Sequence, residues 1–272
     1  MYLVGQEKNL ELINKWETLP QFLIIQGDKH TGKNYLTLYL CNKFGLRYNL
    51  VNNSVKTVRS LLKDMSPGSK TVYHFDNFDD ATLQAKNALL KITEEPMPEN
   101  YIVITGGPQI KTLESRAKRI IMSPYTLDEM ESYIGNGYST KDFREMLFYA
   151  GINTPAKFVY YKDYDKLEQL LRYTYEIFSI ITYISPATYI PMMRRFEDRY
   201  NKDEIDACML FLEMLISLIE YNIKEKKLYS YMNILNELIK AKQALIREPT
   251  LKRKMLLFKT FYNIQIINGD MK

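Results

Sequence analysis

Gly27-Asp-Lys-His-Thr-Gly-Lys33-Asn34 stands directly after a short apolar run, Phe22-Leu-Ile-Ile-Gln26, and directly before a stretch of helical character at 33–44. Gly-x4-Gly-Lys between a strand and a helix is the pattern of a phosphate-binding loop in the context such a loop requires. Gly27 and Gly32 allow torsions that turn consecutive backbone amides toward a phosphate, and the dipole of the helix starting near Lys33 adds to the attraction. The Lys33 ammonium reaches the outer phosphate oxygens. Gly27, Thr31, Gly32, Lys33 and Asn34 are therefore the candidate phosphate cradle. A chance glycine-rich turn is the bland alternative, and the strand–loop–helix placement argues against it. One position departs from the pattern. The residue after the lysine is normally Ser or Thr, whose hydroxyl binds Mg²⁺, and here it is Asn34. An amide oxygen can ligate Mg²⁺, but from a longer and differently aimed side chain. Phosphate binding follows from the loop; efficient hydrolysis does not.

Outward from the loop, Thr71-Val-Tyr-His-Phe75 and Tyr101-Ile-Val-Ile-Thr105 repeat the short apolar run followed by turn residues. Such runs suit strands buried on both faces of a parallel sheet. Between them lie helical stretches at 33–44 and 80–95, the second with Ala85, Ala88, Leu89 and Ile92 on one face. This is the alternating rhythm of an α/β core, expected over 1–124. From 125 to 163 the strand signal stops. Thr126-Leu-Asp-Glu129 predicts a capped helix start, and Asn153-Thr154-Pro155 a turn opening another helix. The remainder, 164–272, predicts helices at 164–184, 187–200, 203–224, 228–246 and 249–266, split by Pro186, Asn201 and Pro249.

The second apolar run ends at Phe75-Asp76-Asn77. An Asp at the C-terminal tip of a buried strand beside a phosphate loop is placed to hold a Mg²⁺ water, so Asp76 and Asn34 are the candidate metal ligands. In ATPases built this way a Glu usually follows and polarises the attacking water. Here it is Asn77, which cannot accept a proton. Asp79 and Asp80 read as the N-cap of the next helix.

Composition narrows the remaining chemistry. The 272 residues are 46% apolar and 25% charged, which suits folded protein, and the length, about 1.8 times a ~150-residue domain, predicts two or three domains. Two histidines and two cysteines, Cys41 and Cys208, leave no material for a disulfide framework or a four-cysteine zinc site. His30 reads as loop filler and His74 as a buried strand residue, neither with a partner at metal-ligand spacing. The formal charge of +5 permits a nucleic-acid partner without demonstrating one. Met1 to Leu10 has no apolar signal-peptide region, and the apolar stretches 173–193 and 207–221 are interrupted by Glu and Pro. The expectation is a cytoplasmic protein with no membrane partner.

Gln84-Ala-Lys-Asn-Ala-Leu-Leu-Lys-Ile-Thr-Glu-Glu-Pro96 resembles the helix following the Walker B strand in AAA+ clamp-loader subunits. Tyr101-Ile-Val-Ile-Thr-Gly and Leu113-Glu-Ser-Arg116 are similar to that family's sensor-1 strand and Ser-Arg-Cys motif, and Val4-Gly-Gln-Glu7 resembles its N-terminal signature. The likeness covers roughly 1–160 and is greatest to the delta-prime subunit of DNA polymerase III and its viral relatives. It implies an AAA+ α/β core with a parallel sheet, a small helical lid at 125–163 and an all-α collar at 164–272. It implies ATP with Mg²⁺ as cofactor, without zinc. It implies clamp-loader subunits, a sliding clamp and primer–template DNA as partners, in a bacterial cell or encoded by a virus. Lys33 and Asp76 fall on the Walker A lysine and Walker B aspartate, Thr105 or Gly106 on sensor 1, and Arg116 on the arginine finger donated to a neighbouring subunit. Lys56, Arg59 and Lys63 share one helix face, and Thr82 and Lys86 lie near the start of the next helix. The family runs the DNA backbone along these two helices.

The departures carry information too. Asn34 and Asn77 replace the usual metal-binding hydroxyl and catalytic acid, and Ala156 falls at the sensor-2 arginine, with Lys157 beside it. The resulting expectation is a delta-prime-like stator that donates a finger and hydrolyses little ATP itself. An active motor subunit is the alternative. A phosphotransferase is remote, because it predicts an arginine-rich lid that 125–163 lacks apart from Arg144.

Overall fold

A computed structural model describes residues 5–135, 140–200 and 206–270. The chain divides into two compact units, Met1–Glu129 and Met130–Lys272. In chain order the first contains α1 (Glu7–Asn14), β1 (Phe22–Gln26), α2 (Lys33–Phe44), β2 (Arg47–Val51), α3 (Val55–Asp64), β3 (Thr71–Phe75), α4 (Leu83–Glu94), β4 (Asn100–Gly106), α5 (Lys111–Glu114), β5 (Lys118–Ile121) and the start of α6 (Leu127–Ile134). The five strands form one parallel sheet in the order β2-β3-β4-β1-β5.

Alternation along the strands explains why apolar runs were needed. Phe22 and Ile24 of β1 pack with Phe75, Ile102 and Ile104 against Val58 and Leu61 of α3 and Leu89 and Ile92 of α4. Leu23 and Ile25 point the other way, with Val72 and Val103, onto Ile13 of α1 and Leu36 and Leu40 of α2. Each strand between two helix layers must be apolar on both faces. The edge strands are not. β2 exposes four of its five residues and β5 three of its four. For that reason β5 has no continuous apolar run to betray it.

Local chemistry sets the helix ends. Thr126 and Glu129 cap each other at the start of α6: the Thr126 amide donates to Glu129 Oε2 at 2.7 Å, and the Glu129 amide to Thr126 Oγ1 at 3.3 Å. The expected cap at Asp79 and Asp80 is corrected. These residues form a short 3-10 turn, Phe78–Asp80, and Thr82 caps α4 by accepting from the Ala85 amide. A hydroxyl directly before the helix reaches its third amide, whereas Asp79 and Asp80 come too early in the chain. At the chain start, buried Gln6 ties α1 to the end of β5 by donating to the Ser123 carbonyl at 2.9 Å. Val4 lies outside the described residues.

The second unit holds α7 (Lys141–Tyr149), α8 (Pro155–Tyr161), α9 (Leu167–Ile180), α10 (Pro186–Tyr200), α11 (Ala207–Lys226), α12 (Met232–Arg247) and α13 (Arg253–Asp270). Thr154 caps α8, with Pro155 in its first turn where no amide is needed. The five expected C-terminal helices appear as α9 to α13, with boundaries shifted by a few residues. Asn201 lies outside the described residues. Phe211 is fully buried among Tyr173, Phe196 and Phe261, with ring centroids 5.6, 5.3 and 6.3 Å away. These rings thus belong to the core of the helical unit. Both cysteines are free and buried. Among the described residues no helix is long and apolar enough to cross a membrane.

Candidate nucleotide-binding site

The C-terminal ends of β1, β3 and β4 are adjacent in the sheet and deliver Gly27, Asp76 and Thr105 to one edge, where ligands bind in open parallel sheets. Gly27 begins the loop, its amide donating to the Gly106 carbonyl at 3.1 Å. His30 and Gly32 take left-handed torsions, φ 67° and 89°. These reversals turn the loop back on itself. Thr31 closes it through Oγ1 to the Asp28 carbonyl at 2.8 Å, and Tyr125 donates to the Thr31 carbonyl at 3.3 Å.

α2 starts at Gly32 with no side-chain cap. The amides of its first turn therefore have no intrahelical acceptor and present a positive end to the loop. Lys33 Nζ donates to the carbonyls of Gly27 and Asp28 at 2.9 and 2.6 Å. Burial lowers its pKa below the ordinary lysine value, opposed by the charges of Asp76, Asp79 and Asp28. A lysine amine held against the loop at an uncapped helix start fits a nucleotide phosphate.

Asp76, Thr105 and Asn34 meet. Thr105 is buried, and its Oγ1 lies 2.9 Å from Asp76 Oδ1 and 3.3 Å from Asn34 Oδ1. A carboxylate and an amide sharing one hydroxyl fit an oxygen-coordinated ion such as Mg²⁺, partly water-bound. Gly106 has no room for a sensing side chain: a Cβ there would lie 1.9 Å from Asp79 Oδ1.

His74 is the buried strand residue that the sequence predicts, but two features escaped sequence reasoning, its bonding and the place of Asp79. His74 is fully buried and bonded on both sides, Nε2 to Thr105 Oγ1 at 3.0 Å and Nδ1 to Tyr48 Oη at 2.9 Å. Burial pushes its pKa down to about 4, against the pull of Asp76. The only local signal was a polar residue inside an otherwise apolar strand. The second is Asp79, whose carboxylate lies over Gly106 and Gly107 and acts electrostatically on Lys33. Its Oδ1 is buried without a hydrogen-bond partner in the protein. Asn77, in the position of the missing acid, is exposed and left-handed at φ 49°.

The other candidates lie apart from this cluster. Arg116 follows α5 and pairs with Glu94 at 2.9 Å and with the Thr112 carbonyl at 2.9 Å, its side chain 37% exposed. Lys56, Arg59 and Lys63 are exposed on α3, which packs against α4. Thr82 is the cap of α4, and Lys86 donates to the Asp79 carbonyl at 2.7 Å. Lys157 Nζ is held by the Gly151 carbonyl at 2.8 Å. Among the described residues no three His, Cys, Asp or Glu side chains cluster to hold a metal ion.

Compared by sequence, the chain matches no protein-family model and no curated protein. Compared by fold, it is similar to a DNA polymerase III gamma subunit-related protein of Thermotoga maritima, at TM-score 0.51 and 16% identity, covering 96% of this chain and 99% of that one. It also aligns with the RuvB Holliday junction branch migration motor of the same organism at TM-score 0.48 and 15% identity, covering 82% and 78%. The fold is the expected α/β core with a parallel sheet, followed by an all-helical region.

Proposed function

We propose that the chain is a clamp-loader subunit of the delta-prime, or stator, type. It assembles with other AAA+ subunits to place a sliding clamp on primer–template DNA. The observation that carries this reading is the composition of the sheet edge. Lys33, Asp76 and Thr105 converge there, while Asn34 and the outward-turned Asn77 stand where a metal-binding hydroxyl and a water-polarising acid would be. The loop amides and Lys33 hold the phosphates of ATP, and Asp76 with Asn34 holds Mg²⁺. A bound Mg²⁺ would neutralise phosphate charge. Neither amide can take a proton from water, so hydrolysis by this chain is weak.

Arg116 acts next door. Its pair with Glu94 is half exposed and contributes at most about 1 kcal/mol, so a neighbour's γ-phosphate can displace it. In that neighbour's site the guanidinium stabilises charge that grows in the transition state. Lys56 and Arg59 of α3, with Thr82 at the start of α4, meet the DNA backbone without reading sequence. Lys86 joins them by exchanging its carbonyl partner for a phosphate. Residues 125–163 serve as the lid and 164–272 as the collar that holds the ring.

An active motor subunit is the second reading, favoured by Asp79, whose unpartnered carboxylate oxygen beside the Lys33 site offers an acid that Asn77 does not. Steady-state ATPase decides between them. The isolated chain should hydrolyse ATP at background rate, and turnover on the order of 1 per second stimulated by DNA would sink the stator reading. In a reconstituted loader, Arg116→Ala should abolish ATPase and leave assembly intact; normal hydrolysis would remove the finger.

A further inference from the structure

Tyr48 Oη, the two ring nitrogens of His74, Thr105 Oγ1 and Asp76 Oδ1 form an unbroken chain with steps of 2.9, 3.0 and 2.9 Å. Counting protons gives it a direction. An ionised carboxylate only accepts, so the single hydroxyl proton of Thr105 goes to Asp76. Thr105 must then receive a bond from His74, which makes Nε2 the protonated nitrogen. Nδ1 is left as an acceptor, and the Tyr48 phenol proton fills it. The opposite tautomer would set His74 Nε2 and Asp76 competing for one proton across contacts of 3.0 and 2.9 Å. Asn34 presents Oδ1 to Thr105 Oγ1 at 3.3 Å; turning that amide over would let Nδ2 donate to the second lone pair of Thr105 and free Oδ1 to face a cation.

A leucine at position 74 would fill the same space without desolvating two polar nitrogens. Burying an imidazole completely costs free energy unless both nitrogens are bonded, and here both are. The bonds lead toward the site, because each fixes the next donor and the last acceptor is Asp76.

We propose that Tyr48 and His74 are positioning residues for the nucleotide site: they commit the Thr105 proton to Asp76, hold its carboxylate in one orientation, and so raise affinity for magnesium-bound nucleotide over free nucleotide. The proposal rests on the nucleotide-binding reading above. Tyr48 lies on the edge strand β2 and is 38% exposed, so removing its hydroxyl disturbs little packing.

Two measurements test this. Nitrogen-15 NMR of the His74 ring in nucleotide-free protein should show the Nε2–H tautomer, and Tyr48→Phe should admit the other. A wild-type ring protonated at Nδ1 would overturn the chain's direction. Titration with a fluorescent ADP analogue, with Mg²⁺ and with EDTA, gives the gain in affinity due to magnesium. That gain should fall about two- to tenfold in Tyr48→Phe and His74→Phe, the range for one lost hydrogen bond. Binding in EDTA should be unchanged, and His74→Gln, which keeps a donor toward Thr105, should recover most of the loss. An equal magnesium gain in all variants, or an equal loss with and without magnesium, would reduce the pair to structural residues. If the wild type binds no nucleotide, the functional reading fails instead, while the tautomer still decides the chain.

Discussion

Acidification from pH 7 to pH 5 should weaken the sheet-containing unit by about 2 kcal/mol through His74 alone. In the folded chain, burial holds this imidazole down to about 4, against an ordinary value of 6.5. Above pH 6.5 the ring is neutral in both states and contributes nothing to the pH dependence. Below it the unfolded chain takes up a proton that the native chain refuses, so stability falls by roughly 1.4 kcal/mol per pH unit until the folded value is reached. Over the 1.5 units from 6.5 to 5 this comes to about 2 kcal/mol. The assay is urea unfolding in metal-free buffer, followed by fluorescence of Trp16, the chain's one tryptophan, which packs against the core beneath α1 and α2. Carboxylates also titrate in this range, so the quantity to compare is the difference between wild type and His74→Gln. The variant should lose about 2 kcal/mol less than the wild type between pH 7 and 5. Equal losses would show that His74 charges freely in the native state, and the buried doubly bonded ring would be wrong.

Other perturbations follow from the same geometry. Gly106→Ala forces a Cβ to 1.9 Å from Asp79 Oδ1 at φ 147°, whereas Gly45→Ala, at φ 64° with nothing within 4 Å, carries only the left-handed torsion. Chemical denaturation should show about 1 kcal/mol lost at Gly45 and clearly more at Gly106; equal costs would contradict the contact. If any intrinsic ATPase is measured, Asp79→Asn should remove most of it and Asp80→Asn little. The reverse order would discount Asp79. Phe211→Ala should cost roughly 3–5 kcal/mol, read by loss of far-ultraviolet circular dichroism, because the ring is fully enclosed. A cost under about 1 kcal/mol would mean that the site collapses around the smaller side chain.

Much of the fold was legible because its cause is local. β1, β3 and β4 are sandwiched between helix layers and had to be largely apolar on both faces, so their runs stood out. Thr126 with Glu129, and Thr154 with Pro155, act within one helical turn and were readable for the same reason. β5 was missed because an edge strand with one buried residue obeys neither strand pattern. Asp79 was taken for a cap because acids before a helix usually are. Its contact with Gly106 spans the turn between two strand ends and leaves no trace in spacing.

The candidate phosphate loop is eight consecutive residues whose torsions and charges are their own, and for that reason Gly27, Gly32 and Lys33 could be read from the sequence. Asp76 was legible as the residue ending a buried strand. What those groups touch was decided by the parallel sheet. Tyr48 and His74 are 26 residues apart, and His74 and Thr105 31. They meet only because the strand order β2-β3-β4 makes their strands neighbours: Tyr48 pairs with Val72 and His74 with Val103, so each side chain reaches diagonally to one two positions along the next strand. A hydrogen bond needs two atoms within about 3 Å. Which residues come that close is a property of strand order and register, and neither is written in the spacing of residues along the chain.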